Sequence, residues 1–587
     1  MCESLTLDKN EDLKEFIRKS ALLNAVKHDG NAQVGAVVGK IIGEKAEYRT
    51  RVKELSAVID KIVQEINRLS LEEQKRVVEE KWPEAFVKEK TAEKRLPPLL
   101  NADKYSKVVT RFSPNPDCVL HLGSARAIIL SHEYASMCKG KFVLRFEDTD
   151  PKTKVPVLEF YGRIREDLAW LGCKPDEEYI QSDRVPIYYE YAEKLITTGH
   201  AYVCTCKPED FRKRILVKKP CPCRDLPVKE QIERWHKMLD GSYKEGEAVV
   251  RVKTDLYHPN PAIRDWPAMR IIDTETHPHP RVGSKYNVWP LYNLAAGLDD
   301  HLMGVTHIIR GKEHLTNMAR QEYMYRHLGW TYPEAIHYGR LKIKGAYLSK
   351  SKIVQGIKEG KFKDWDDPRL ATFAALRRRG ITPEAIRKMI IDVGPKTHDV
   401  VLSWENLYAY NRKILDSTSN RYFFVENPIE LKVCGIPKVF NARLNLHPEH
   451  PERGFREYII EPQGDDRHVS FWTAKKDIEP SKVGNVIRLM ELFNVRLEHA
   501  NARSATALFD SESYESAKNA EAKLIHWIPV GQDMPSEVVM SDASIVDGIA
   551  EGFCKKLKPD MIIQFERFGF VKIDKVKTKL IAYYAQK

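Results

Sequence analysis

Apolar positions in the first hundred residues recur at helical spacing. Leu55, Val58, Ile59, Ile62, Ile66 and Leu69 would share one helix face, which predicts a small helical appendage with its own core over 1–100. Ser70 followed by Glu73 reads as a capping box that opens the next helix. The tract Arg95-Leu96-Pro97-Pro98-Leu99 then breaks the period, as a linker does. Beyond it, an apolar run over 106–112 predicts a strand, a Pro and Asn turn follows, 120–137 reads as a helix and 142–146 as a second strand. The order β-α-β implies a parallel sheet with ligands gathered at the carboxyl ends of its strands, where Ser113 and Glu147 fall.

The pattern then changes twice. Over 199–281 cysteine pairs, basic residues and prolines replace the apolar runs, which predicts an insertion. Residues 282–330 resume the earlier style, apolar over 291–298 and strand-like over 306–310. Thr382 as cap with Pro383 at the first position predicts a helix start. After 401, short β-prone runs such as 421–425, 523–530 and 568–573 predict barrels or sandwiches. The expected class is multidomain α/β. A chain of 587 residues exceeds what one core organises, so roughly three to five domains are expected.

Composition narrows the picture. Hydrophobic residues at 42% and charged residues at 30% describe a folded, soluble chain rather than a disordered or membrane one. No apolar run approaches the roughly 20 residues of a membrane helix, so no membrane association is expected. Residues 1–14 are polar and acidic, unlike a secretion signal, and a cytoplasmic location is expected. The net charge of +12 favours a polyanionic partner, with a solvated basic surface as the plain alternative. Ten cysteines are too unevenly scattered for a disulfide framework. Cys204-Thr205-Cys206 and Cys221-Pro222-Cys223 form two Cys-x-Cys pairs that can close a tetrahedral zinc site, or pack as buried free thiols.

Two further strings carry chemistry. In the first, residues 111–124, a strand runs through a turn into a helix, which presents backbone N–H groups and the positive end of the helix dipole to an anion. Gly123 permits close backbone approach and His121 can donate to a phosphate oxygen. The second, Gly345-Ala346-Tyr347-Leu348-Ser349-Lys350-Ser351-Lys352, is small, hydroxylated and cationic, so Lys350 can neutralise charge that builds on a phosphate in flight. Each string alone reads equally well as ordinary turn or surface; their order and pairing point to a split nucleotide site.

With these residues in place the sequence resembles the class I aminoacyl-tRNA synthetases, whose HIGH and KMSKS signatures correspond to His121-Leu122-Gly123-Ser124 and Tyr347-Leu348-Ser349-Lys350-Ser351. More narrowly it is similar to the archaeal type of glutamyl-tRNA synthetase. That likeness rests on Arg111-Phe112-Ser113-Pro114-Asn115-Pro116, on Arg145-Phe146-Glu147-Asp148-Thr149-Asp150-Pro151, and on the string from Asp299-Asp300 to Glu313-His314. It runs from about residue 100 onward.

The resemblance implies catalysis by His121 and Lys350, and ATP binding by Pro114, Asn115, Pro116, His121, Gly123, Ser124, Ser349, Lys350 and Ser351. It implies glutamate binding by Arg111, Ser113, Glu147, Tyr292 and Arg310. The chemistry of these residue types agrees, because Glu147 can pair with an α-ammonium and arginine forks suit carboxylates. It also implies a Rossmann-like catalytic domain in two parts, 101–198 and 282–330, around an inserted acceptor-stem domain at 199–281. A KMSKS loop and helical stem-contact region would cover 331–400, and a β-barrel anticodon-binding domain 401–587, which contains Trp404-Glu405-Asn406-Leu407, 411–416 and 564–570.

ATP with Mg2+, L-glutamate and tRNA(Glu) are the implied partners, with tRNA(Gln) as an open second acceptor, and some relatives carry zinc in the insertion. Departures are Ser124 in place of the final His of the first signature, Cys118 where Gly is frequent, and Ala296 where some bacterial relatives have Asn. A glutaminyl-tRNA synthetase is the nearest rival, opposed by Glu147-Asp148-Thr149-Asp150 and Arg310; a catalytically silent RNA-binding protein is opposed by the intact His121, Lys350 and Glu147.

Overall fold

A computed structural model describes residues 11–28, 30–44, 48, 51–82 and 95–587. The acidic N-terminal stretch up to residue 10 thus lies outside the described residues. The chain divides into two units, 1–94 and 95–587.

The first unit holds helices α1 (Glu11–Lys27), α2 (Val34–Glu44), α3 (Val52–Ile66) and α4 (Leu71–Lys81). Its core takes in Leu55, Ile59, Ile62 and Ile66 from α3, with Leu13, Ile17, Val37 and Ile41. Leu69 does not belong to that stripe: α3 ends at Ile66 and Leu69 is exposed. The reason is the capping box that follows. Glu73 N–H donates to Ser70 Oγ at 3.3 Å and Ser70 N–H to Glu73 Oε2 at 2.8 Å, which starts α4 at Leu71 and ends the earlier register.

In the second unit β1 (Val109–Phe112), α5 (Ala125–Met137), β2 (Lys141–Phe146), α6 (Leu158–Trp170) and β3 (Glu177–Ile180) follow the expected alternation. All three strands are parallel, with β2 in the middle. The four residues of β1 are all buried, as are five of six in β2, which is why these strands show no alternation of apolar and polar positions. The helix foreseen from 120 begins as α5 only at Ala125, after a 3-10 turn at Leu122–Ser124. Between α5 and β2 the chain must pass directly over β1: a side chain on Gly140 would meet Val108 O at 2.2 Å.

Helix α7 (Val185–Thr197) leads into an antiparallel sheet of β4 (Ala201–Cys204), β5 (Val249–Val252), β6 (Pro267–Ile271) and β7 (Val288–Pro290), in that order. Helices α8 (Pro208–Leu216) and α9 (Val228–Leu239) fill the connection from β4 to β5. The chain then returns through α10 (Tyr292–Leu302), β8 (His307–Gly311), α11 (Leu315–Leu328) and β9 (Glu334–Tyr338), with β8 parallel to β9. Thr306 N–H donates to Val109 O at 2.9 Å and Val109 N–H to Thr306 Oγ1 at 2.9 Å, so β8 lies beside β1 on the edge away from β2. Strand order therefore reverses between β1 and β8, the place where open α/β sheets form a crevice.

Strand β10 (Leu341–Ile343) pairs parallel with β11 (Val400–Leu402), and between them lie α12 (Lys350–Lys358), α13 (Phe373–Arg379) and α14 (Pro383–Val393). Thr382 caps α14 as expected, accepting from Ala385 N–H with Pro383 at the first position. Helix α15 (Trp404–Thr418) follows, opened by a capping box of Ser403 and Asn406. The strand-rich region thus starts at Arg421 rather than near 401, and 404–407 and 411–416 are helical.

An antiparallel pair of strands at Phe440–Asn445 and Phe455–Ile460, two short helices and two seven-stranded sheets make up the rest. In one, Tyr422 pairs with Phe565 at one edge while Phe424 pairs with Ala550 at the other. Only Phe423 separates these edges, so the sheet has to curl until they meet. Phe423, Phe471, Phe493 and Trp527 are buried in the core of its neighbour, as expected of aromatics in such sheets. Arg456 and Glu551 form a buried ion pair, 2.8 and 2.9 Å apart at their closest atoms, with Tyr458 OH donating to the same carboxylate at 2.9 Å. Among the described residues no helix is long and apolar enough to cross a membrane.

Candidate active site

The crevice at the carboxyl ends of β1, β2 and β8 is framed by short backbone contacts. Pro114 O accepts from Glu147 N–H at 2.9 Å and Pro116 O from Val157 N–H at 2.8 Å, which ties the loop after β1 to the residues after β2. Two connected chambers open there. The inner one, about 170 Å³, is lined by Arg111, Ser113, Glu147, Tyr292, Arg310 and His314. All five residues expected to bind an amino acid therefore meet in one place. The outer chamber, about 600 Å³, shares Ser113, Glu147, Tyr292 and His314 and adds Asn115, Lys154 and Arg320. Ser113 Oγ, Asn115 Oδ1 and Asn293 Oδ1 are buried there without a hydrogen-bond partner. Buried polar atoms are normally satisfied, so these three mark a surface shaped for a polar ligand.

The wall of the inner chamber is ionic. Arg145 is fully buried; its Nη2 donates to Glu147 Oε1 at 2.9 Å and its Nη1 to Asp300 Oδ1 at 2.7 Å. Arg111 Nε donates to Asp300 Oδ1 at 3.1 Å and its Nη2 to Asp300 Oδ2 at 3.3 Å. Burial would push the Asp300 carboxyl up, but Arg111 and Arg145 outweigh it and hold it at about 2. Burial does push the Glu147 carboxyl up, against the pull of Arg145.

Arg310 differs from both. It is 5% exposed, and its Nη2 donates to the Tyr332 hydroxyl oxygen at 2.9 Å, its Nη1 and Nη2 to Gln321 Oε1 at 3.3 Å each, and its Nε faces His337 Nε2 at 3.4 Å. None of these partners is an anion. Burial, helped by the Arg310 charge, drives His314 and His337 down to about 4, so both imidazoles are neutral at pH 7. Glu313 also lines this chamber, but it is half exposed and its charge is matched by Arg340 at 3.8 Å. Inside, the three guanidinium groups of Arg111, Arg145 and Arg310 face the two carboxylates of Glu147 and Asp300, leaving a surplus of one positive charge in a desolvated space.

The two halves of the expected nucleotide site also come together. Gly123 N–H donates to His121 Nδ1 at 3.0 Å, which leaves the ring proton on Nε2, free to donate outward. Burial lowers the pKa of His121, keeping it neutral. A side chain on Gly123 would meet the His121 ring at 2.8 Å. Leu122 N–H donates to Ala371 O at 2.8 Å, which anchors the first motif to the segment before α13. Lys350, at the start of α12, pairs with Asp117 at 2.6 Å and so reaches back to the loop of the first motif. Ser349 and Ser351 share a hydrogen bond at 3.1 Å, and Ser124 sits at the N-terminus of α5.

In the antiparallel region Cys204, Cys206, Cys221 and Cys223 lie with all four Sγ atoms within 4.8 Å of one another. Individual separations are 3.5 Å for Cys204 to Cys221, 3.3 Å for Cys206 to Cys221 and 3.9 Å for Cys206 to Cys223. A disulfide would need about 2.05 Å. Arg234 Nη1 lies 3.4 Å from Cys223 Sγ.

Sequence reasoning missed Arg145, Asp300, Gln321, Tyr332, His314 and Asp117. One signal was present for Asp300: Asp299 and Asp300 stand together in the apolar stretch that becomes α10, and both are fully buried. Two adjacent acids on a buried helix need cationic partners; Asp299 finds Arg184 at 2.9 Å.

Comparison with known proteins adds the following. A family model described as tRNA synthetases class I (E and Q), catalytic domain, matches residues 107–417. Two models described as the anti-codon binding domain of the same group match 419–509 and 524–574. A protein named glutamate–tRNA ligase from Pyrococcus furiosus is 53% identical over 98% of this chain and 100% of its own length. One of the same name from Methanothermobacter marburgensis is 44% identical over 98% of this chain and 100% of its own. A crystal structure titled glutamate-tRNA synthetase from Elizabethkingia anophelis aligns over 54% of this chain and 72% of that one, at 25% identity and a TM-score of 0.40.

Proposed function

The chain belongs to the class I tRNA synthetases of the glutamate and glutamine group, and from that premise we infer that it is a glutamate–tRNA ligase, which activates L-glutamate with ATP and transfers it to the 3′ end of tRNA(Glu). The observation that carries the choice of glutamate is Arg310, a buried guanidinium with no anionic partner in a chamber with one surplus positive charge. Glutamate at pH 7 has one ammonium and two carboxylates, a net charge of the opposite sign. We assign Glu147 to the ammonium, Arg310 to the γ-carboxylate, and Arg111, Ser113 and Tyr292 to the remaining polar atoms. Neutral glutamine would leave Arg310 buried and unpaired, which costs several kcal/mol, on the order of 3–5.

The reaction needs no enzyme nucleophile. An α-carboxylate oxygen of glutamate attacks the α-phosphorus of ATP and the bond to pyrophosphate breaks; a ribose hydroxyl of the tRNA terminus then attacks the acyl carbon and AMP leaves. His121 donates from Nε2 to a phosphate oxygen, while Lys350 swings from Asp117 to the charge that develops on the phosphates. Pro114, Asn115, Pro116, Gly123, Ser124, Ser349 and Ser351 shape the nucleotide pocket in this reading. Magnesium arriving with ATP would neutralise phosphate charge.

The region 199–281 is read as the acceptor-stem domain, 331–400 as the loop and helices that contact the stem, and 401–587 as the anticodon-binding part, with 1–100 as a helical appendage. Four thiolates around zinc, with bonds of about 2.3 Å, stand about 3.8 Å apart. Separations of 3.3 to 3.9 Å for three of the pairs, with all four sulfurs within 4.8 Å, suit that spacing, so Cys204, Cys206, Cys221 and Cys223 would hold a structural zinc and pin two turns. Metal analysis of the purified protein should find one zinc per chain, and the Cys221→Ser variant should lose it; under half an equivalent in the parent protein would leave four free thiols. Reduced cysteines at these distances fit a reducing compartment, and the cytoplasm is the location this reading takes.

Pyrophosphate exchange, run with tRNA present and with glutamate or glutamine as substrate, tests the assignment. Exchange with glutamate is expected. Exchange with glutamine alone, or with neither, would reject it. Charging of tRNA(Glu) and tRNA(Gln) side by side decides how many acceptors the enzyme serves.

A further inference from the structure

Arg310 is held in place by groups that carry no charge, although a carboxylate would hold it more strongly. Gln321 of α11 is fully buried. Its Oε1 takes hydrogen bonds from Arg310 Nη1 and Nη2 at 3.3 Å each and from Tyr332 OH at 2.8 Å, and the same hydroxyl oxygen in turn accepts from Arg310 Nη2 at 2.9 Å. The orientation of this amide follows from its neighbours. A guanidinium only donates, so the amide oxygen has to face it, and Nε2 is left in the interior with no partner. An unmet buried donor is normally selected against. A glutamate of the same shape would present a charged acceptor to both guanidinium nitrogens.

The seat for Gln321 is itself built. Across from it on α10 stands Gly297, where an added side chain would meet Met324 Cε at 2.5 Å and Gln321 Cγ at 3.3 Å. Tyr325 OH donates to Gly297 O at 2.8 Å and ties the two helices at that point. The helix that carries Asp300, the counter-charge of Arg111 and Arg145, is thus also the helix that makes room for a neutral partner beside Arg310.

We propose that Gln321 is a positioning residue for substrate selection: it fixes the Arg310 guanidinium while withholding the negative charge that would neutralise it. The charge of Arg310 is then answered only by the side-chain carboxylate of the bound amino acid. Tyr332 completes the neutral cage, and His337 and His314, kept unprotonated by burial, stay neutral beside it. The inference rests on the reading of Arg310 as the partner of the γ-carboxylate.

The test is pyrophosphate exchange with glutamate and glutamine, tRNA present, on the full-length protein and two variants. For Gln321→Glu the kcat/KM for glutamate should fall about 100-fold while that for glutamine holds or rises, so the preference for glutamate collapses by about that factor. For Gln321→Met, which removes the hydrogen bonds and adds no charge, catalysis weakens but the preference stays within about fivefold of the parent, because Arg310 remains unneutralised. A role in packing alone would lower both substrates together in both variants. An unchanged preference in Gln321→Glu with a parent-like melting temperature overturns the inference. So does a preference lost in Gln321→Met, which keeps the test decisive even where Gln321→Glu does not fold. If the parent protein itself fails to prefer glutamate, the reading of Arg310 falls and the role of Gln321 falls with it.

Discussion

Replacing Arg310 with alanine is expected to lower kcat/KM for glutamate by about 10²–10⁴-fold, the equivalent of about 3–5 kcal/mol for removing one partner of a buried ion pair. The loss has two sources. The γ-carboxylate enters a desolvated chamber without its counter-charge, and the surplus positive charge that draws an acidic amino acid is gone, since Arg111 and Arg145 are already answered by Asp300 and Glu147. Glutamine should suffer far less, because it gains nothing from the charge. The Arg310→Lys variant tests geometry separately. A lysine keeps the charge but has no planar fork to span Gln321, Tyr332 and a carboxylate at once, so a loss of at least about tenfold is expected even there. Exchange kinetics with both amino acids provide the measurement. A glutamate kcat/KM within tenfold of the parent in Arg310→Ala would place the γ-carboxylate elsewhere.

The second large effect concerns the nucleotide motifs. Lys350→Ala and His121→Ala should each reduce kcat by about 10²–10³-fold, the usual consequence of removing a donor that meets charge developing in the transition state. Their KM for glutamate should stay within about threefold of the parent, because neither residue lines the arginine chamber. In the proposed mechanism the two act differently. Lys350 supplies a mobile full charge, held by Asp117 at 2.6 Å until a triphosphate competes for it. His121 is neutral and rigid, its ring turned by the Gly123 N–H so that Nε2 points outward. Steady-state kinetics that vary ATP and glutamate separately distinguish these roles from binding. A glutamate KM that rises as much as kcat falls would contradict both.

Much of this was legible along the chain because it depends on local patterns. Parallel strands buried on both faces read as runs without alternation, and β1 and β2 emerged within a few residues of their expected places. Caps are local hydrogen bonds between residues three apart, so Ser70 with Glu73 and Thr382 with Ala385 could be foreseen. Boundaries were less readable. Leu69 continues the apolar spacing of α3 yet is exposed, and the runs at 404–407 and 411–416, placed by expectation in a barrel, form a helix whose capping box overrides their surroundings.

The residues proposed to meet the substrate were also foreseeable as types: arginines, a carboxylate and a histidine two residues before a glycine, set at the ends of strands. What those residues are worth was not. Arg111, Arg145 and Arg310 look alike in sequence, and only the folded molecule distinguishes them, by giving two of them the carboxylates of Asp300 and Glu147 and leaving the third with an amide and a phenol. The sequence by itself determined the motifs, the helix starts and the parallel strands, because each rests on neighbours a few residues apart. The tertiary structure alone decided which charges are spent and which remain for a ligand, because the partners of a buried ion come from distant segments and its strength depends on the water that packing excludes.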